Sequence, residues 1–170
     1  NNGWAVGIGG KIVYTYDGGY HWEEQTSGTS SSLYDVYFVD AVTGFAVGNG
    51  NKILGTTDGE NWTELNTGGF DLYCVYFIDA NTGFAAGESG AFMYTADGGA
   101  NWTTANNTTT YPTTKGIYFF DANNGILACN MGNFNVTTDA GASWTEMESG
   151  ISNDLTDLCF PTATVGYASA

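Results

Sequence analysis

The sequence predicts an all-β chain of β-propeller blades, each a four-stranded antiparallel sheet of about 41 residues, cut from a larger propeller or repeat array. Three observations predict it. A turn motif recurs as Thr15-Tyr-Asp17-Gly-Gly-Tyr-His-Trp22, Thr56-Thr-Asp58-Gly-Glu-Asn-Trp62, Thr95-Ala-Asp97-Gly-Gly-Ala-Asn-Trp102 and Thr137-Thr-Asp139-Ala-Gly-Ala-Ser-Trp144, its tryptophans 40, 40 and 42 residues apart. Upstream of it lies a small-residue element: Gly3-Trp-Ala-Val-Gly7, Gly44-Phe-Ala-Val-Gly48, Gly83-Phe-Ala-Ala-Gly87, Gly125-Ile-Leu-Ala-Cys129 and Gly166-Tyr-Ala-Ser-Ala170. Before that comes an aromatic element: Val36-Tyr-Phe-Val-Asp40, Val75-Tyr-Phe-Ile-Asp79, Ile117-Tyr-Phe-Phe-Asp121 and Leu158-Cys-Phe-Pro-Thr162. Three elements in one order at one period define a structural repeat.

In chain order, the aromatic element is apolar on both faces, as a strand with sheets packed on either side must be. Asp-Ala-x-x-Gly after it, as in Asp79-Ala-Asn-Thr-Gly83, is turn chemistry, Asp capping its own backbone and Gly accepting positive φ. The small-residue element is a second strand whose glycines allow close approach of another backbone. A Gly/Asn turn such as Gly48-Asn-Gly-Asn51 leads to a third strand, Lys52-Ile-Leu-Gly-Thr56 in that copy, and the Asp motif turns the chain into a fourth strand starting at Trp. With the strands lettered A to D, the blades fall at about 1–28 (partial), 29–68, 69–108, 109–150 and 151–170 (partial). The chain therefore starts and finishes inside a B strand, a phase that expects either a longer array or head-to-tail association of copies into fibres.

The pattern Phe-x-Asp-x-x-x-Gly-Phe-Ala-x-Gly followed by Thr-x-Asp-Gly-Gly-x-x-Trp resembles the Asp-box (BNR) repeat class, most closely the Ycf48-like repeats of photosystem II assembly factors and related secreted bacterial proteins. The resemblance covers essentially the whole chain and implies a propeller with the Asp-box on the outer edge, away from the central channel. It specifies the fold more than the function, because such propellers host many roles. It also brings polysaccharide hydrolases of the two-propeller xyloglucanase type into view, but not sialidases, whose arginine cluster has no counterpart here.

Composition narrows the classes of partner. Net charge is −15, charged residues are 12% of the chain, and the bases are Lys11, Lys52 and Lys115 with no Arg. Nucleic-acid binding needs Lys and Arg to displace counterions along the phosphates, and docking on an anionic membrane needs a basic patch. Neither is expected, nor is membrane insertion, since no apolar run reaches the length of a span. Cys74, Cys129 and Cys159 are isolated and read as small buried hydrophobes, with one disulfide left open. Ligand spacing for zinc is absent, so neither metal nor cofactor is expected.

The Asp-box pairs Asp17 with Trp22, Asp58 with Trp62, Asp97 with Trp102 and Asp139 with Trp144. These eight read as structural: the carboxylate accepts N–H groups left over by the C–D hairpin, and Trp buries its ring between sheets. His21, inside the first box, reads as a surface turn residue. Catalytic residues are not expected; the weak acid candidates are Asp35 and Asp157, which share one repeat slot at the start of strand A that Cys74 and Gly116 occupy elsewhere. Paired carboxylates across a channel are what glycoside hydrolysis needs. Ligands of propellers meet the face formed by the D–A and B–C loops: Thr26–Ser32, Asn66–Asp71, Thr104–Gly116 (carrying Tyr111-Pro112) and Met147–Asp154, with Asn49, Glu88 and Asn130. Candidate N-glycosylation sites are Asn61, Asn101, Asn106, Asn107 and Asn135.

The functional expectation is a non-enzymatic extracellular or cell-surface repeat protein, a scaffold or binding module for protein or glycan, with self-association into filaments as one form. Two alternatives stand beside it: a fragment of a polysaccharide-degrading glycoside hydrolase, and an assembly chaperone similar to the photosystem II factor.

Overall fold

The computed structural model describes residues 1–66, 69–104, 113–162 and 164–170. Strands β1 (Gly3–Val6), β2 (Ile12–Thr15) and β3 (Glu23–Gln25) make a three-stranded sheet. Three four-stranded sheets follow: β4 (Leu33–Phe38), β5 (Gly44–Gly48), β6 (Lys52–Thr56) and β7 (Thr63–Asn66); β8 (Leu72–Phe77), β9 (Gly83–Gly87), β10 (Phe92–Thr95) and β11 (Thr103–Thr104); and β12 (Thr114–Phe119), β13 (Gly125–Cys129), β14 (Asn133–Thr137) and β15 (Thr145–Glu148). Strands β16 (Asp157–Thr162) and β17 (Val165–Ser169) form a two-stranded sheet. Every neighbouring pair is antiparallel and every sheet runs in chain order, the all-β blade architecture that the repeat predicts. Strands β4, β8, β12 and β16 pack in succession and form the innermost layer. Strand D begins one residue later than the sequence reading placed it, after Trp rather than at it.

The seams between blades explain the repeated aromatic and glycine positions. The ring of Phe38 lies over Gly44, that of Phe77 over Gly83, and that of Phe119 over Gly125, so that a β-carbon on any of these glycines would run into the ring. That seat frees the other face of each phenylalanine for the preceding blade. Phe45 stacks on Phe77 with centroids 4.5 Å apart, and Phe84 on Phe119 at 4.7 Å. The box tryptophan of the same blade then closes the stack edge-on. Trp62 meets Phe38 at 6.0 Å and 85°, Trp102 meets Phe77 at 5.9 Å and 89°, and Trp144 meets Phe119 at 6.1 Å and 74°. Each seam is thus an aromatic sandwich, and the buried core follows these seams as separate clusters. Trp22 departs from the expectation: the residue is 47% exposed.

The B–C turns place two successive residues in the left-handed region, such as Gly50 and Asn51, or Met131 and Gly132. Gly132 is required twice over, by its φ of 73° and because a β-carbon there would collide with the Ile151 carbonyl oxygen.

Candidate functional site

One side-chain hydrogen-bond pattern recurs in all four Asp-boxes, and its hub is the threonine two residues before the aspartate. Thr15, Thr56, Thr95 and Thr137 are buried. Each hydroxyl donates to the box carboxylate, at 2.9, 3.1, 2.8 and 2.8 Å. Each also accepts the N–H of Gly19, Gly59, Gly99 or Gly141, at 2.9–3.0 Å. The other carboxylate oxygen takes a side chain from the residue before Trp: His21 Nδ1, Asn61 Nδ2, Asn101 Nδ2 or Ser143 Oγ. That side-chain bond, with the backbone N–H bonds behind it, holds all four carboxyls below their ordinary range, Asp17 at about 2. His21 is therefore a box member and not a bystander in the turn. Sequence reasoning assigned the work to Asp and Trp and overlooked the threonine, although its recurrence two residues ahead of every Asp was visible.

The innermost strands build a different site. Strands β4, β8 and β12 each carry a β-bulge near their start, so Leu33 pairs with Gly48 but Asp35 with Val47, and likewise for Leu72/Cys74 and Thr114/Gly116. The extra residues are Tyr34, Tyr73 and Lys115. A bulge re-aims side chains, and here it turns two successive residues per strand toward one cavity of about 240 Å³. Tyr34–Asp35, Tyr73–Cys74, Lys115–Gly116 and Thr156–Asp157 line it. The repeat slot singled out in sequence thus faces the channel, and Asp35 and Asp157 share one cavity.

The two acids differ in kind. Asp35 is largely withdrawn from water, and both its oxygens are engaged, one with the N–H of Val36 at 2.8 Å and one with that of Val75 in the next blade at 2.9 Å. Burial pushes its carboxyl up; those two N–H donors oppose the shift, and the negative field of Asp157 adds to it. Asp157 is exposed and accepts the Leu158 N–H at 2.8 Å. Asp35 therefore stitches β4 to β8, and Asp157 offers an open carboxylate to the channel. Burial, then the field of Asp35, pushes the Cys74 thiol well up.

The mouth of the cavity is aromatic and acidic. Tyr34 and Tyr73 lie 5.1 Å apart at 48°. Asp71 on the rim accepts Tyr34 Oη at 3.3 Å, Asn49 Nδ2 at 2.9 Å and the Gly50 N–H at 2.9 Å, locking a D–A loop onto the B–C turn of the preceding blade. Asp154 does the same for Met131, accepting its N–H at 2.9 Å. Burial, then the charge of Asp71, raises both tyrosines. Among the described residues no cluster of three His, Cys, Asp or Glu is placed to hold a metal ion.

Two further expectations are corrected. Asn135 is 1% exposed, its Nδ2 bonded to Cys129 Sγ at 3.3 Å inside the blade, which leaves no room for a glycan. Cys74 and Cys129 are buried free thiols, but Cys159 is exposed rather than buried. Asn61 and Asn101 are exposed, although their amides serve the boxes. Asn106, Asn107 and Tyr111-Pro112 lie outside the described residues.

Comparison with known proteins agrees with this architecture. The structure labelled as YCF48 bound to a D1 peptide superposes with a TM-score of 0.73 at 20% identity, over 94% of this chain and 54% of that one. YCF48 from Cyanidioschyzon merolae gives 0.71 at 22% identity, over 94% of this chain and 56% of that one. An ancestral GH74 enzyme gives 0.68 at 16% identity, over 97% of this chain and 23% of that one. The chain thus spans about half the length of the two YCF48 structures. No curated protein sequence matches it. The family model described as photosynthesis system II assembly factor YCF48 matches residues 25–158, and the chain belongs to that family.

Proposed function

We propose that this propeller segment is a non-enzymatic, assembly-factor-like module that holds an extended polypeptide across the mouth of its channel. The observation that carries the reading is the bulge-built cavity: paired tyrosines, a lysine and an open carboxylate on one rigid strand layer, in a family one of whose members has been captured with a D1 peptide. A cavity of about 240 Å³ admits side chains of a strand and not a folded domain. Tyr34 and Tyr73 supply rigid amphipathic contact area, and the peptide-facing acids favour basic residues in the ligand. Commitment of both Asp35 oxygens to backbone donors favours a binding role over acid–base chemistry. A setting outside the cytosol belongs to the same proposal, supported by the acidic, arginine-free composition; cell fractionation tests it.

Fluorescence anisotropy with a labelled D1 peptide tests the binding reading. Saturable binding, weakened about tenfold by Tyr34→Ala or Tyr73→Ala, is expected. Absence of binding to that peptide and to a lysine-rich variant of it overturns the proposal. So does hydrolysis of a β-glucan that Asp157→Asn abolishes, which would make the chain part of a glycosidase.

A further inference from the structure

The seams between blades differ in one polar detail. In the first seam Gln25, three residues after the box tryptophan, inserts its carboxamide between two groups of the next blade. Its Oε1 accepts the Trp62 indole N–H at 3.0 Å, and its Nε2 donates to the Gly59 carbonyl at 2.8 Å. Trp4 completes the closure by donating to the same carbonyl at 3.2 Å. The corresponding positions later in the chain are Leu65 and Ala105, and Trp4 is replaced by Phe45 and Phe84. None of these side chains can hydrogen-bond.

The consequence is an orphaned donor in each later seam. The indole N–H groups of Trp102 and Trp144 are buried and have no partner among the described residues. The rings keep the stance of Trp62, edge-on to the strand-A phenylalanine at 5.9–6.1 Å, so each N–H points where Gln25 sits in the first seam. At the second seam Leu65 lines a cleft of about 310 Å³ together with Phe45, Gly55 and Gly99. At the third seam a cleft of about 380 Å³ stands open between the outer strands of one blade and the box of the next, lined by Phe84, Phe92, Tyr94, Thr104 and Gly141. A β-carbon on Gly141 would lie 3.5 Å from Trp144 Cζ2, the ring atom next to the N–H-bearing edge, so the indole edge abuts the cleft wall. Trp144 itself is 8% exposed, which makes its unpaired N–H costly in the free protein.

We infer that the cleft between the third and fourth blades takes a glutamine side chain from a partner polypeptide, its carboxamide bridging the Trp144 N–H and the Gly141 carbonyl as Gln25 bridges Trp62 and Gly59. The apolar walls receive the methylenes, and the carboxamide supplies the acceptor and donor that the seam lacks. This site lies at the outer edge and is independent of the channel proposal.

Two-dimensional NMR of the 15N-labelled chain reads it directly, with the indole signals assigned by Trp102→Phe and Trp144→Phe. The probes are blocked Ala-Gln-Ala, Ala-Met-Ala and Ala-Glu-Ala peptides. Saturable downfield movement of the Trp144 indole proton is expected with the glutamine peptide, at about tenfold higher affinity than with the methionine peptide, the ratio supplied by one or two net hydrogen bonds. Equal response to glutamine and methionine, or no response to either, overturns the inference. Leu65→Gln tests the premise inside the chain: the Trp102 indole proton should move downfield toward the position of Trp62, and an unmoved signal refutes the bridging geometry.

Discussion

Truncating the box tryptophans tests the seam as the source of stability, and the structure makes the copies unequal. A tryptophan buries about 150–250 Å², which at about 25 cal/mol per Å² is worth roughly 5 kcal/mol when fully covered. Trp144 is 8% exposed and meets Phe92 and Phe119 edge-on, so Trp144→Ala should cost about 4 kcal/mol, its unpaired N–H removing part of the gain. Trp22 is 47% exposed, and the same truncation there should cost about half as much. For a chain of this size each kcal/mol moves the melting temperature by about 2–4 °C, so the expected falls are roughly 8–16 °C and 4–8 °C. Differential scanning calorimetry on the two variants measures them. Trp144→Phe is the internal control: it keeps most of the ring, deletes the orphan donor and should cost under about 1.5 kcal/mol. Equal shifts for Trp22→Ala and Trp144→Ala would refute seam burial as the cause.

Other outcomes follow from the same geometry. Thr95→Val keeps the box shape but strands the buried Gly99 N–H, and chemical denaturation should show a loss of about 1–3 kcal/mol. Gly132→Ala should be worse than an ordinary surface change, because the left-handed φ of 73° and the Ile151 carbonyl both oppose it; failure to lower the melting temperature would contradict the turn geometry. Asp17, Asp40, Asp58, Asp79, Asp97, Asp121 and Asp139 are all held below their ordinary pKa, so their stabilisation is present above about pH 4 and is lost as the pH falls through their lowered native values, about 2 for Asp17. Asp35, raised by burial, acts in the opposite sense: its contribution is present below its unfolded pKa and lost as the pH rises through the native value. An acid titration followed by tryptophan fluorescence should unfold the chain below about pH 4, and Asp35→Asn should leave that midpoint within a few tenths of a unit.

Much of the fold was legible because the repeat writes each structural demand several times. Gly44, Gly83 and Gly125 recur since each must seat a phenylalanine ring, and Asp and Trp recur since each hairpin needs the same cap and each seam the same wedge. The candidate site was legible only in part, for the reason that it depends on breaks in the repeat. Asp35 and Asp157 could be paired by slot, but the bulges that add Tyr34, Tyr73 and Lys115 leave no local sequence mark. The burial of Asn135 was equally hidden, because a strand alternates sides and register decides which side is inward.

That division suggests how such a chain separates stability from recognition. Positions that face the seam core are constrained by rings on both sides, so substitution there costs several kcal/mol. The copies diverge in sequence at the inner slot, which holds Asp35, Cys74, Gly116 and Asp157, and at the position three residues after the box tryptophan, which holds Gln25, Leu65, Ala105 and Met147. Where the seam has its glutamine, the indole is satisfied; where leucine or alanine stands in its place, the indole N–H is buried without a partner among the described residues. Variation at these positions leaves the stacked rings of each seam in place, so the blades differ in the hydrogen bonds they leave unmade without repacking that core.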